Sequence, residues 1–440
     1  MKPAQQRLIK TFQFLADLSA LVLATWPLHH FDWLHSKLLV LVLAFGAYRL
    51  SVLLAHYSVR QPFWDELRDL LATTLLMGSL HAALLMGVGS QLPVADLALG
   101  WLGAMLALPL SRHLARQLLR KLRAWHLPVI LVGQGPNSHD AQLALQSDSA
   151  LGYRICAQVM PDADGAWLRP HPHALVAVAL EPDDSALLDR TLRQLTAASR
   201  DYLVVPALRG LPLQGLISQH TLSHEVLLLR ASNHLKQLPS QLLKRLLDQL
   251  GALLLLMVLM PVMTLIALRL LREDGPVLFW HERIGRHGRA FPCPKFRTMT
   301  PDADARLEAL LQRCPQSQQE WATSRKLRDD PRITPLGRFL RETSLDELPQ
   351  LWSVLKGEMS LVGPRPVTRA ELSHYGENVS YYQQVLPGIT GLWQVSGRSD
   401  ADYPTRVALD VWYVRNWSVW TDVVILLKTV GVVIKRKGAY

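Results

Sequence analysis

The residues best suited to chemistry are the adjacent acids Asp346 and Glu347, within Thr343-Ser344-Leu345-Asp346-Glu347-Leu348-Pro349-Gln350. A proline-flanked arginine follows in Gly363-Pro364-Arg365-Pro366, and Lys295-Phe296-Arg297-Thr298-Met299 precedes them. Carboxylates accompanied by fixed cations point to phosphoryl chemistry, where positioning and charge neutralisation supply most of the catalysis. An ionised Asp can also attack phosphorus and form an acyl phosphate.

Ser344 followed three residues later by Glu347 reads as a capping box, so one duty open to Glu347 is to satisfy a helix start. Asp346 then falls in the first turn, where unpaired amides and the helix dipole favour an anion. Pro349 removes an early helical hydrogen bond and leaves room for an irregular cap. Arg341 lies just before the cap. Lys295 and Arg297, two apart, share one side if their segment is a strand. Arg365 sits between prolines that restrict the backbone, and a guanidinium mounted so rigidly suits bidentate capture of phosphate.

These residues need a frame. At 440 residues the chain has room for two or three domains, and 49% of it is apolar, which fits a membrane part joined to soluble parts. The net charge of +11 favours anionic partners, lipid headgroups or phosphorylated substrates. No Lys/Arg-rich stripe with interleaved aromatics speaks for nucleic acid. Cys156, Cys293 and Cys314 are too few and scattered for a disulfide framework or zinc site, and read as reduced, packed thiols in a cytosolic setting. The first apolar stretch lacks a small-residue cleavage site, so no cleavable signal is expected.

Four apolar runs, near 11–31, 37–57, 69–90 and 92–111, approach the ~20 residues that cross a bilayer, with Asp96 near the start of the fourth. Basic residues flanking them (Lys2, Arg7, Lys10, Arg49, Arg60, Arg68, Arg112, Arg116, Arg120) predict a four-helix transmembrane bundle over 1–127 with both ends cytoplasmic. Residues 128–238 predict a Rossmann-like α/β domain, with strands at 129–132, 153–160, 174–180, 202–206 and 225–230 and a helix at 184–199. Its glycine signal is incomplete: Ser138 takes the third glycine position and Pro136 removes a donor, so a spacer or regulatory module without nucleotide is expected. The apolar segment 246–271 has Pro261 inside it and cations at both ends, Lys244, Arg245, Arg269 and Arg272. A re-entrant segment broken at Pro261 satisfies both ends, and a straight fifth span is the alternative. Near the C-terminus, Trp412, Tyr413, Trp417 and Trp420 beside a short apolar helix read as an interfacial anchor or an ordinary packed helix. The fold class expected is therefore an α+β membrane protein whose catalytic domain occupies 239–440.

Over 239–440 the chain resembles the monotopic phosphoglycosyl transferases, specifically the large membrane-embedded members that load hexose-1-phosphate onto polyprenyl phosphate. The matching motifs include Glu282-Arg283-Ile284-Gly285, Lys295-Phe296-Arg297-Thr298-Met299, Asp330-Pro331-Arg332-Ile333-Thr334, the Asp346-Glu347 element, Gly363-Pro364-Arg365-Pro366, Pro387-Gly388-Ile389-Thr390-Gly391, Gly397-Arg398 and Asp410-Val411-Trp412-Tyr413. The bundle and the Rossmann-like insert match the subgroup's layout in outline. The resemblance implies Asp346 as nucleophile and Glu347 as its dyad partner, with Mg²⁺ beside both. It implies Lys295, Arg297, Arg341 and Arg365 as phosphate-binding positions and Arg398 near the nucleotide or sugar. It further implies a UDP-hexose donor, galactose slightly ahead of glucose, and undecaprenyl phosphate as acceptor. The setting implied is the cytoplasmic face of a bacterial inner membrane, at the start of surface polysaccharide synthesis, with a homodimer allowed. Two departures stand out: Met260 precedes Pro261 where relatives often have Ser, and Pro294 precedes Lys295 where Tyr is common. Rival readings are an NAD(P)-dependent sugar-nucleotide enzyme centred on 128–231 and a non-catalytic scaffold for polysaccharide assembly.

Overall fold

The computed structural model describes residues 3–435, apart from 31–32, 58, 91, 209, 214–215, 222–223, 232–234, 236, 325–326, 328–329 and 397–401. The chain divides into two compact units, Met1–Arg209 and Gly210–Tyr440.

The first unit opens with four helices, α1 (Pro3–Thr25), α2 (Trp33–Tyr48), α3 (Phe63–Gly87) and α4 (Val94–Lys121). They bury Leu21, Leu39, Met77, Trp101 and Leu108 in a shared core, yet also expose Leu23, Leu41, Leu75 and Leu106. A helix that is apolar all round suits a membrane interior, and the stretches Arg7–Leu28, His35–Leu53, Phe63–Gly87 and Val94–Lys121 are each long and apolar enough to cross one. Asp96 falls harmlessly in the first turn of α4. Not every flanking cation faces solvent. Arg112 is buried, 2.6 Å from both Asp17 and Glu66, and Arg116 bonds the same Glu66. These two arginines are paired inside the bundle instead of lying in a solvated loop.

A parallel sheet follows, built from β1 (Leu127–Val132), β2 (Tyr153–Val159), β3 (Leu175–Val178) and β4 (Tyr202–Val204) in the order β2-β1-β3-β4. Helices α5 (Pro136–Ser147) and α6 (Ser185–Ala197) accompany it. β1 is central, and Val129 to Val132 are buried, as expected of a strand covered on both faces. Gly133 turns the chain with φ +128°, and a side chain there would meet the Ala179 carbonyl at 2.3 Å. At the start of α5 the Glu181 carboxylate accepts from the Asn137 amide at 2.7 Å. The helix start is satisfied by the chain's own anion, which would repel a dinucleotide phosphate there. The strand expected at 225–230 does not join this sheet. As β6 (His224–Arg230) it pairs antiparallel with β5 (Ile217–Thr221) in the second unit. A hairpin needs only a short connection, whereas parallel pairing needs a crossover.

The second unit is organised on α7 (Leu238–Leu270), a single helix that runs through Pro261. Pro261 lies inside this helix rather than between two separate ones. Asp248, Ala252, Leu256, Ile266 and Leu270 are buried and Leu259 and Met263 are packed beside them, a stripe recurring every three or four residues. Pro261 lies on the exposed side, where it removes one hydrogen bond while the buried stripe holds both halves to the same unit. The outer surface of α7 stays apolar, with Leu246, Leu250, Leu254, Met257, Val258, Leu265 and Leu268 exposed. Lys244 is committed inward: it lies 2.8 Å from Asp422 and 3.3 Å from Asp248. Asp248 in turn accepts from Ser360 Oγ at 2.8 Å and from the Leu361 amide at 3.1 Å.

β7 (Leu278–Ile284) and β8 (Ala290–Phe296) form an antiparallel hairpin, followed by α8 (Ala303–Arg313), α9 (Pro315–Ser324), α10 (Pro335–Glu342) and α11 (Gln350–Lys356). β9 (Ser360–Val362) and β10 (Gly388–Thr390) pair in parallel, with the short turns α12 (Arg369–Leu372) and α13 (Val379–Tyr382) between them. The chain ends with α14 (Leu392–Val395), α15 (Tyr403–Arg415) and α16 (Val419–Lys435). Tyr413 and Trp417, expected among interfacial aromatics, are buried instead, and both donate to the Asp422 carboxylate, at 2.8 and 3.1 Å. α16 places Ile425 in the core and leaves Leu427, Val430 and Ile434 exposed, so it is packed on one face and apolar on the other.

Candidate active site

Asp346 and Glu347 sit on a tight turn, Leu345–Glu347, between α10 and α11. The expected capping box does not form: Ser344 adopts φ +56° and caps nothing with its side chain. That left-handed residue reverses the chain and frees both carboxylates from helix duty. The leucines on either side of the acids fix the turn. Leu345 and Leu348 pack with Ile266, Leu270, Phe296 and Leu340, so the dyad is pinned between α7, β8 and α10.

Lys295, at the end of β8, bridges the pair: its Nζ lies 2.6 Å from Glu347 Oε1 and 3.5 Å from Asp346 Oδ2. Pro294 does not disturb the strand, which keeps the register Phe279↔Lys295 and Trp280↔Pro294. Pro292 and Pro294 are two apart, so both fall at positions where the ladder needs no amide. Arg365 completes the cluster, its Nη2 3.4 Å from Glu347 Oε1. Its loop is closed by glycines: a side chain at Gly388 would come within 2.1 Å of the Gly363 nitrogen, and Gly388 donates to the Pro364 carbonyl at 2.8 Å. Arg365 itself stays 42% exposed, and so can meet a ligand from solvent.

The two acids differ electrically. Burial raises the Asp346 carboxyl above its ordinary value, Lys295 opposes that, and the neighbouring Glu347 charge adds to it. Burial also works against the Glu347 charge, but Arg365 and then Lys295 outweigh it and hold Glu347 below its usual range. Two adjacent carboxyls pushed apart in this way mark the kind of site where one acid is tuned for chemistry. Cys293, also on β8, is no competitor as nucleophile, since burial pushes its thiol up to about 11.

The other expected residues divide. Arg341 donates from Nε to Thr298 Oγ1 at 2.9 Å and is near enough to Asp346 to favour its ionised form. Arg297 is not paired with the dyad. The strand ends at Phe296, and the Arg297 guanidinium turns to the Asp274 carbonyl and, at 3.9 Å, to Glu273. Arg398 lies outside the described residues. Arg283, in the Glu-Arg-Ile-Gly element, was missed as a site residue. It pairs with Glu371 at 3.0 Å and adds positive potential at Glu347. Its spacing from Lys295 gave no signal, because only the hairpin brings the two strands together.

The bacterial sugar transferase family model matches residues 239–436. A UDP-galactose-lipid carrier transferase of Erwinia amylovora is 40% identical over 437 residues, covering 95% of this chain and 91% of the relative. The chain belongs to the bacterial sugar transferases. An undecaprenyl-phosphate galactose phosphotransferase of Salmonella typhimurium is 41% identical over 408 residues, with 88% and 85% coverage. An exopolysaccharide production protein of Sinorhizobium fredii is 47% identical over 198 residues, which are 45% of this transferase but 88% of the relative. A stretch of this chain as long as the family-model match thus corresponds to nearly all of a shorter relative.

Proposed function

We propose that this transferase moves hexose-1-phosphate, galactose in preference to glucose, from a UDP-hexose to undecaprenyl phosphate, releasing UMP and starting a surface polysaccharide. The observation that carries this reading is the dyad: a buried Asp346 beside Glu347, with Lys295 bridging both and Arg365 half-exposed at their edge. Asp346 attacks the sugar-proximal phosphorus, the P–O bond to UMP breaks, and a covalent aspartyl phosphosugar remains. The lipid phosphate oxygen then attacks the same phosphorus and frees the carboxylate. Lys295 and Arg365 hold the diphosphate and neutralise its charge as the leaving group departs. Galactose is favoured because two relatives matched along most of the chain carry that sugar in their names.

Asp346 and Glu347 are hard oxygen donors of the kind Mg²⁺ takes. Among the described residues no third acid or histidine joins them in a metal-holding group, so substrate phosphate and water would complete the sphere. Bound there, Mg²⁺ would neutralise the diphosphate.

We read the membrane arrangement as a cytoplasmic-face enzyme of a bacterial inner membrane, with α7 re-entrant. Support comes from the buried stripe, since both ends of α7 pack on the same unit while its outer face is apolar. The direct experiment mixes purified protein with UDP-galactose or UDP-glucose, with and without undecaprenyl phosphate. Repeated UMP release that requires the lipid is expected, together with a single-turnover burst of at most one UMP per enzyme and a phosphohexose adduct on the Asp346 peptide when lipid is withheld. Absence of UMP release with every UDP-hexose sinks the reading.

A further inference from the structure

A cavity of about 560 Å³ opens in the second unit, and none of Asp346, Glu347, Lys295 and Arg365 lines it. The first turns of α7 supply one wall, with Leu238, Leu242, Arg245 and Gln249 at helical spacing. The turn of the β7–β8 hairpin contributes Arg286 and Arg289, and Phe291, Met359 and Leu386 add apolar surface.

The charge in this cavity is unbalanced. Lys244 and Asp248 also line it but neutralise each other within the network described above. Arg245, Arg286 and Arg289 remain, against Glu358. Arg286 Nε is buried without a hydrogen-bond partner among the described residues, a donor left for a ligand. The apolar wall does not stop at the cavity mouth. Leu238 and Leu242 line it and are 72% and 67% exposed, continuous with the apolar outer face of α7.

We propose that this cavity holds the headgroup of an anionic phospholipid, with its phosphate on Arg245, Arg286 and Arg289 and its acyl chains along Leu238 and Leu242. Guanidinium groups capture phosphate oxygens in pairs, and basic pockets beside membrane-lying helices select anionic headgroups. Inorganic phosphate would leave the leucine wall bare, and an uncharged lipid would leave the arginines unmatched. Polyprenyl phosphate has similar chemistry, but as acceptor it must reach a phosphosugar on Asp346, which is not part of this cavity. The site is therefore an accessory one, separate from turnover and dependent only on α7 lying at the membrane.

Native mass spectrometry of the full chain in detergent, titrated with phosphatidylglycerol, tests this without any assay of catalysis. One phosphatidylglycerol is expected to bind in preference to phosphatidylcholine. Arg245→Gln and Arg289→Gln, both at exposed positions, should each weaken it about fivefold, the change matching roughly 1 kcal/mol per basic residue at a lipid surface. UMP release in phosphatidylcholine vesicles should be unchanged in both. Equal binding of the two lipids, or unchanged phosphatidylglycerol affinity in the double variant with an unaltered unfolding temperature, overturns the proposal. Mole-for-mole displacement by undecaprenyl phosphate would make this the acceptor's site and also overturn it, as would saturation by inorganic phosphate alone.

Discussion

Asp346 carries two burdens that can be measured separately. As nucleophile it must be ionised, so turnover should fall as the pH drops through its raised value. Asp346→Asn should lower UMP release by roughly 10³-fold or more, since an amide cannot form the acyl phosphate. Stability should move the other way. Below the ordinary carboxylate range both folded and unfolded chains hold the proton, and above the raised folded value both are ionised with the charge buried. Between those limits stability is lost as pH rises, and Asp346→Asn escapes that loss. Its unfolding temperature relative to wild type should therefore climb as the pH rises from the ordinary carboxylate range through the raised folded value. Glu347 predicts the opposite sign: its lowered value adds stability above the ordinary range that disappears as pH falls through the folded value, so Glu347→Gln should be the less stable variant near neutrality. Thermal unfolding across pH separates the two, and parallel curves would refute the assigned asymmetry. Arg365→Lys keeps the charge but loses the planar fork, and should cost about tenfold or more in kcat/KM. Unchanged kinetics would reduce Arg365 to a surface residue. The acids and Arg365 were readable because their neighbours are so restrictive: leucines bracket the pair and prolines bracket the arginine. The placement of Arg297 was not legible, because residue parity holds only inside a strand, and the strand stops one residue earlier. The capping box failed similarly, since nothing in Ser344-x-x-Glu347 announces a left-handed serine.

At the scale of elements, α7 does most of the positioning. Leu270 and Ile266 hold the dyad turn, and Asp248 ties the other end of the helix to β9 through Ser360 and Leu361. Asp248→Ala removes one buried carboxylate, which leaves Ser360 and the Leu361 amide without their acceptor and Lys244 with Asp422 as its remaining carboxylate. Unfolding should become easier by about 3 kcal/mol, the range for breaking a buried ion pair. Retained thermal stability would show that apolar packing alone anchors α7. The helix was legible as an apolar run, but its orientation was not. When nearly every residue is Leu, Met or Val, hydropathy cannot distinguish the buried stripe from the outer face. For the same reason Pro261 looked like a break, because its consequence depends on whether it faces the core. The hairpin prolines teach the converse: Pro292 and Pro294 look hostile to a strand, yet their even spacing fits every second position of the ladder.

For the whole molecule, the open matter is which side of the membrane receives the second unit. Charge counting uses Arg112, Arg116 and Lys244 only by their positions near segment ends, and all three are partnered internally in the fold. Packing supplies a firmer constraint. A helix that left the catalytic unit to cross a bilayer would have to desert its core along half its length, whereas α7 stays buried on one stripe from Asp248 to Leu270. Gln237 and Arg272 flank the helix and are both exposed. Replacing each singly with cysteine, in a background lacking Cys156, Cys293 and Cys314, should give two sites protected from an impermeant maleimide in intact cells. Both should label after the inner membrane is opened. Labelling from opposite faces would make α7 a fifth span and set Asp346 on the opposite side from position 237. Since the proposed UDP-sugar donor is cytosolic, that outcome would require either an outward-facing site without donor or an inverted first unit, and the re-entrant reading would fall with it.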